Sequence, residues 1–163
     1  MDEAAFDAFY DASFAKLVRQ TYAICGNLAE AQDCVQEAFV RAWDRRRELD
    51  EALAPEAWVR TVAHRLAVSR WRKAVRAFRS PDRALELRPS REPSPDHVAL
   101  HKALAQLPYE QRRALVLHYI ADLSVDDIAE EVGAPSGTIK ARLSRGRKAL
   151  ATLLGDESEV RHA

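Results

Sequence analysis

Across a Gly-Ala-Pro step near its C-terminus, this chain changes sign. Residues 121–134 carry five carboxylates (Asp122, Asp126, Asp127, Glu130, Glu131) and no cation, whereas residues 135–154 carry five cations (Lys140, Arg142, Arg145, Arg147, Lys148) and no carboxylate. Gly133 and Pro135 punctuate the step as a helix-ending glycine and a turn proline do. Beyond it, Ile139, Leu143, Gly146, Leu150 and Leu153 recur at intervals of four and three, an apolar seam of helical period. Before it, Ser124 stands three residues ahead of Asp127, the spacing of a capped helix start. The stretch predicts two helices joined by a tight turn, the second capped by Ser136 and strongly basic. A chain of zero formal net charge that gathers cations on one helix carries the electrostatic footprint of an element that meets phosphates.

The remainder also reads as helix, without sustained alternation of Val, Ile, Thr and aromatics. A first helix spans about 3–25, with Phe6, Tyr10, Leu17 and Ile24 on one stripe and Gly26 placed to end it. Asn27 caps a second helix to about Leu49. Its apolar stripe is Leu28, Ala31, Val35, Ala38 or Phe39 and Ala42, and its other face is Asp33, Gln36, Glu37, Val40, Arg41 and Asp44. Pro55 opens a third helix, whose apolar face (Trp58, Val59, Val62, Leu66) fades as cations accumulate: Arg60, Arg65, Arg70, Arg72, Lys73, Arg76 and Arg79. Four of the seven prolines fall within 80–95, which therefore reads as an extended linker. Asp96 caps a short helix to about Leu107, and Pro108 opens another to about Ala121, with Leu115, Val116 and Tyr119 turned inward. The expected fold class is all-α: two small helical domains, 1–79 and 96–155, joined by the flexible linker 80–95 and followed by a disordered tail at 156–163.

Two basic elements thus stand apart in sequence. Residues 51–80 hold seven bases against two acids, and 135–154 hold five against none. A helix enters the major groove N-terminus first, braced by the helix before it. Small residues at that start (Ser136, Gly137, Thr138, Ala141) allow close approach. Thr138 and Ser144 can bond base edges or phosphates, Arg142 and Arg145 can reach guanine, and Lys140 and Lys148 can reach the backbone. The third helix combines cations with Trp71, a combination suited to single-stranded or opened DNA, whereas Trp58 reads as a packing residue.

The 163-residue chain shows no N-terminal signal pattern and no apolar run of membrane-spanning length, so a cytoplasmic protein without membrane insertion is expected. Cys25 and Cys34 lack further ligands at metal-binding spacing, as do His97 and His101; they read as small buried residues and an ordinary helix face. No cofactor is expected, and no nucleophile elbow, phosphate loop or catalytic carboxylate pair is present, so the chain does not read as an enzyme.

These pieces resemble the extracytoplasmic-function (ECF) sigma factors of bacterial RNA polymerase. DCVQEAFVRAW (33–43) and PEAWVRTVAHRLAV (55–68) are similar to sigma region 2. The stretch 103–150 is similar to sigma region 4, most specifically at Leu107-Pro108, DIAEEVG (127–133) and GTIKARLSRGR (137–147). The resemblance implies that region 2 binds the clamp helices of one large subunit of core RNA polymerase, through Asp33, Gln36, Glu37, Phe39 and Arg41. It implies that Arg60, Arg65, Ser69, Arg70, Trp71, Arg72, Lys73 and Arg76 read and melt the minus-ten element of promoter DNA. Region 4 would sit on the flap of the other large subunit. It would read the minus-thirty-five element through Ser136, Gly137, Thr138, Lys140, Ala141, Arg142, Ser144, Arg145 and Lys148. An anti-sigma factor is implied as a further partner. Family members often carry Asn where Arg65 stands, Asp where Ser69 stands and Ala where Gly146 stands. The alternative is a stand-alone helix-turn-helix regulator, which a gel shift on a palindrome would distinguish.

Overall fold

The computed structural model describes residues 1–51, 54–78 and 95–162. The chain divides into two compact units, Met1–Ser90 and Arg91–Ala163, and no strand occurs among the described residues. The expected linker 80–95 lies, except for its last residue, outside them.

Unit 1 is built on α1 (Glu3–Cys25), α2 (Leu28–Asp44), the short α3 (Arg46–Glu51) and α4 (Pro55–Phe78). Local chemistry sets the first ends. Asp2 accepts a hydrogen bond from the Ala5 amide at 2.8 Å. Gly26 closes α1 at φ 72°, and the Asn27 side chain accepts from the Glu30 amide at 2.9 Å. The left-handed backbone at Gly26 costs a glycine nothing, whereas a Cβ there would be strained. Helices α1, α2 and α4 pack pairwise around Leu17, Val35, Ala38, Val59 and Ala63, all fully buried. The second helix does not run on to Leu49. It ends at Asp44, and the Arg46 guanidinium folds back over the Trp43 ring, 4.1 Å from its centroid, donating to the Trp43 carbonyl at 2.9 Å.

Unit 2 contains α5 (Pro95–Gln106), α6 (Tyr109–Leu115), a π-helical turn (Val116–Ile120), α7 (Val125–Val132) and α8 (Ser136–His162). Its core is Leu104, Leu107, Ala114, Leu115, Leu117, Ile128, Ile139 and Leu143. Asp96 lies inside α5 rather than capping it. Buried Arg112 donates from Nη2 to the Leu107 carbonyl at 3.1 Å, satisfying an acceptor at the turn between α5 and α6. The helix expected from Pro108 to Ala121 changes type midway: the Ala121 amide donates to the Val116 carbonyl at 3.0 Å, a five-residue span. The extra residue rotates the phase of the turn. Leu117 is therefore buried, and Tyr119, expected inward, is exposed. The Ser124 hydroxyl accepts from the Asp127 amide at 3.1 Å, and Gly133 closes α7 at φ 71°. The Thr138 amide donates to the Pro135 carbonyl at 3.0 Å, so Ser136 is the first residue of α8 rather than its cap. Helix α8 continues to His162, through the positions expected as a tail. Gly155 costs about 1 kcal/mol of helix propensity, but no proline follows to force a stop.

Candidate nucleic-acid interface

In unit 2 the seam of α8 faces inward as its period requires: Ile139, Leu143 and Gly146 are buried, Leu150 and Leu153 half-buried. The opposite side is the basic face. Gly137, Lys140, Arg145 and Lys148 are exposed, and Ser136, Thr138, Ala141, Arg142 and Ser144 are half-buried beside them. The residues singled out for the minus-thirty-five element therefore all lie outside the buried seam of α8. Arg142 has an intramolecular neighbour, its Nη2 lying 3.8 Å from Glu110 Oε2 of α6. The preceding helix α7 holds Asp126, Asp127 and Glu130 on exposed positions, so of these two helices only α8 is cationic.

In unit 1 the cations of α4 sort by angle. At 3.6 residues per turn, Arg65, Ser69, Arg72, Lys73 and Arg76 fall within about 100° of one another. All five are exposed, so they form one stripe. Arg60 is corrected: it is buried, with Nη1 3.4 Å from Gln20 Oε1 and 3.9 Å from Glu56 Oε2. It ties α4 to α1 and does not reach the outer surface. Trp71 is partly exposed but lies on the side of the helix away from the stripe, next to the core-facing positions. Arg70 is turned toward α2, where Nη1 meets Glu30 Oε1 at 3.1 Å and Nη2 meets Glu37 Oε2. Burial draws its proton affinity down, yet the Glu30 hydrogen bond and the surrounding charges leave it above the ordinary arginine value.

The outer face of α2 presents Asp33, Gln36 and Arg41 exposed, with Glu37 partly covered. Phe39 is corrected: it is 3% exposed and forms the hub of an aromatic cluster, with Phe6, Phe9, Tyr10 and Phe14 at centroid distances of 4.8–6.3 Å. Its neighbour Val40 takes the outer position, 60% exposed amid polar groups. An apolar residue on an otherwise polar helix face was the sequence signal for it. A further surface went unread in the sequence: an apolar groove of about 410 Å³ in unit 2, lined by Leu100, Leu104, Val116, Tyr119, Ile120 and Leu150. Arg147 sits at its edge and donates to the Tyr119 hydroxyl at 3.1 Å. Sequence period could not find it, because the π turn is what exposes Tyr119 and Ile120. Among the described residues no His, Cys, Asp and Glu cluster is arranged to hold a metal, and no helix is long and apolar enough to cross a membrane.

Two families of known proteins match these two units. Residues 9–77 match Sigma-70 region 2, and residues 97–150 match Sigma-70, region 4. Helical units with these basic faces are thus those of a sigma-70-type transcription initiation factor. The ECF RNA polymerase sigma factor SigW of Bacillus subtilis is 30% identical over 176 aligned positions, spanning 95% of this chain and 91% of that protein. The ECF RNA polymerase sigma factor SigL of Mycobacterium tuberculosis is 34% identical over 158, spanning 91% and 88%. Among solved structures, the sigma factor RpoE in complex with the anti-sigma factor NepR, from Bartonella quintana, superposes with a TM-score of 0.74 at 26% identity, covering 93% of this chain and 97% of that one. The chain belongs to the ECF sigma factors of RNA polymerase.

Proposed function

We propose that this chain binds core RNA polymerase in the cytoplasm and directs it to a defined set of promoters. It acts as an initiation factor rather than an enzyme. Unit 1 docks on the clamp helices of one large subunit through Asp33, Gln36, Glu37, Val40 and Arg41. Val40 replaces Phe39 in this set because an exposed apolar side chain ringed by polar ones is the form an interface anchor takes. Arg65, Ser69, Arg72, Lys73 and Arg76 meet the minus-ten element, and Trp71, on the other side of α4, is not part of that stripe. Unit 2 sits on the flap of the other large subunit. The exposed face of α8 reads the minus-thirty-five element, with Ser136 and Gly137 at its start and Arg142 and Arg145 as base readers. The apolar groove beside Tyr119 gives an apolar partner segment a seat, and an anti-sigma factor is the partner that would compete with polymerase for the chain.

The observation that carries this reading is the joint match to region 2 and region 4 within one chain. A stand-alone regulator needs a recognition helix and has no use for the first unit. Reconstitution with core polymerase tests it directly. Stoichiometric holoenzyme and run-off transcripts from a small set of promoters are expected, and a chain that does not bind core polymerase would end the reading.

A further inference from the structure

Arg70 of α4 has an acidic seat on a second helix of its own unit. Its two terminal nitrogens are divided between two carboxylates about two turns of α2 apart: Nη1 on Glu30 Oε1 at 3.1 Å, Nη2 on Glu37 Oε2. Glu37 is shared, since its other oxygen accepts from Arg41 Nη2. A chain of charges, Glu30–Arg70–Glu37–Arg41, therefore runs from the DNA-facing helix to the outer face of α2, where Val40 lies exposed. Packing does not require it. The contact between α2 and α4 already buries Val35, Ala38, Val59 and Ala63 completely. The Arg70, Glu30 and Glu37 side chains are 35%, 37% and 37% exposed, a setting in which ion pairs contribute only about 0–1 kcal/mol to a fold. Such pairs yield to a competing anion. A single phosphate can accept from both terminal nitrogens of a guanidinium, which here are split between two carboxylates.

We propose that Glu30 and Glu37 act as an internal stand-in for phosphate, seating Arg70 on α2 in the free chain and releasing it to the promoter strand when core polymerase engages the outer face of α2. Glu30 is then a positioning residue: it touches neither polymerase nor DNA and sets the availability of Arg70. The coupling is reciprocal, because a strand phosphate that takes Arg70 leaves Glu37 free for the polymerase surface. This inference rests on the placement of α2 and α4 proposed above.

The test uses the full-length chain, free and as holoenzyme, with a labelled single-stranded oligo-dT as probe. In the free chain, Glu30→Gln is expected to tighten oligo-dT binding about threefold, the equivalent of a weak surface pair. It should also steepen the dependence of log affinity on log salt by about 0.7, one added phosphate contact. Arg70→Lys keeps the charge but spans only one carboxylate, and should act in the same direction. Arg70→Ala should abolish the gain in the Glu30→Gln background. Alone, it should weaken the holoenzyme more than the free chain. An unchanged salt slope in both Glu30→Gln and Arg70→Lys, with folding intact by circular dichroism, would overturn the proposal and leave a structural tie. Failure to form holoenzyme would instead strike the proposed function, while the free-chain comparison would still decide the role of Glu30.

Discussion

A Cβ at Gly146 would stand 3.1 Å from Leu115 Cδ1 and 3.3 Å from its Cγ. Leu115 is itself 4% exposed, so it has little room to retreat. Glycine in a helix interior costs about 1 kcal/mol against alanine, and the close approach of α6 and α8 at this point is what that cost permits. Gly146→Ala should therefore change the stability of unit 2 little, the propensity gain offset by the crowded contact. Gly146→Val should destabilise it by about 2–3 kcal/mol, both read by chemical denaturation. Cys34 poses a different question. It is fully buried, and burial pushes its thiol up from 9.0 to about 12, against the pull of the Arg70 charge. The thiolate is the reactive form, so a native chain given an alkylating reagent at neutral pH should be modified at half-buried Cys25 and spared at Cys34. Mass spectrometry of the labelled peptides checks this. Between pH 9 and 12 the unfolded chain releases a proton that the folded chain keeps at Cys34. Stability should accordingly be unaffected by this group below pH 9 and fall above it, by about 1.4 kcal/mol per pH unit until the folded thiol ionises. Loss of that alkaline limb in Cys34→Ala, followed by urea denaturation, identifies the group.

Helix α8 does two jobs on two faces, and the variants that separate them are Lys140→Ala and Arg145→Ala. Both side chains are exposed, so neither substitution should disturb the core around Ile139 and Leu143. Lys140 suits a phosphate contact. Its loss should weaken holoenzyme binding to every promoter by a similar factor and shallow the salt slope by about 0.9. Arg145 suits a base contact, so its loss should reorder affinities among minus-thirty-five sequences, with about 1–3 kcal/mol of discrimination lost at one base pair. Quantitative binding across a promoter library distinguishes them, and uniform losses from Arg145→Ala would remove its base-reading role. What the sequence made legible in these elements was local chemistry. Asn27, Ser124, Gly26 and Gly133 act on backbone groups within four residues of themselves, so their spacing alone specified the helix ends they set. The π turn at Val116–Ile120 answers instead to packing against other elements, which no local period encodes, and Tyr119 was misplaced for that reason. Phe39 and Arg60 sit where an apolar stripe gives way to a polar face. Only the neighbouring helix, supplying Phe6 and Tyr10 in one case and Gln20 in the other, decides which side of that border each side chain takes. The exposed face of α8 was readable because its seam residues are unambiguous and everything opposite them must face out.

At the scale of the whole molecule, formal charge sums to zero while each unit keeps a cationic face of its own. A neutral total weakens long-range attraction to nucleic acid, and the salt-sensitive affinity that remains scales with the phosphates each face engages. Productive binding then requires both faces to be used together, on one promoter and through one polymerase, with the second contact made at the high effective concentration that a shared chain provides. The two faces should also act at different stages. On the proposed reading the α8 face meets duplex, so its variants should lower formation of the first promoter complex whether or not the DNA is already open. The α4 stripe is suited to a strand that has left the duplex, where cations track the exposed backbone. The double variant Arg72→Ala with Arg76→Ala changes two exposed residues and should leave binding to duplex minus-thirty-five DNA intact while slowing strand opening, as followed by permanganate reactivity of unpaired thymines. A template with a pre-formed bubble at the minus-ten position removes the opening step. It should restore most of the lost transcription if the stripe works by stabilising the separated strand during melting. If the double variant is equally defective on duplex minus-thirty-five fragments, the division of labour between the two units fails, because a stripe needed for closed binding would be acting as a second duplex contact.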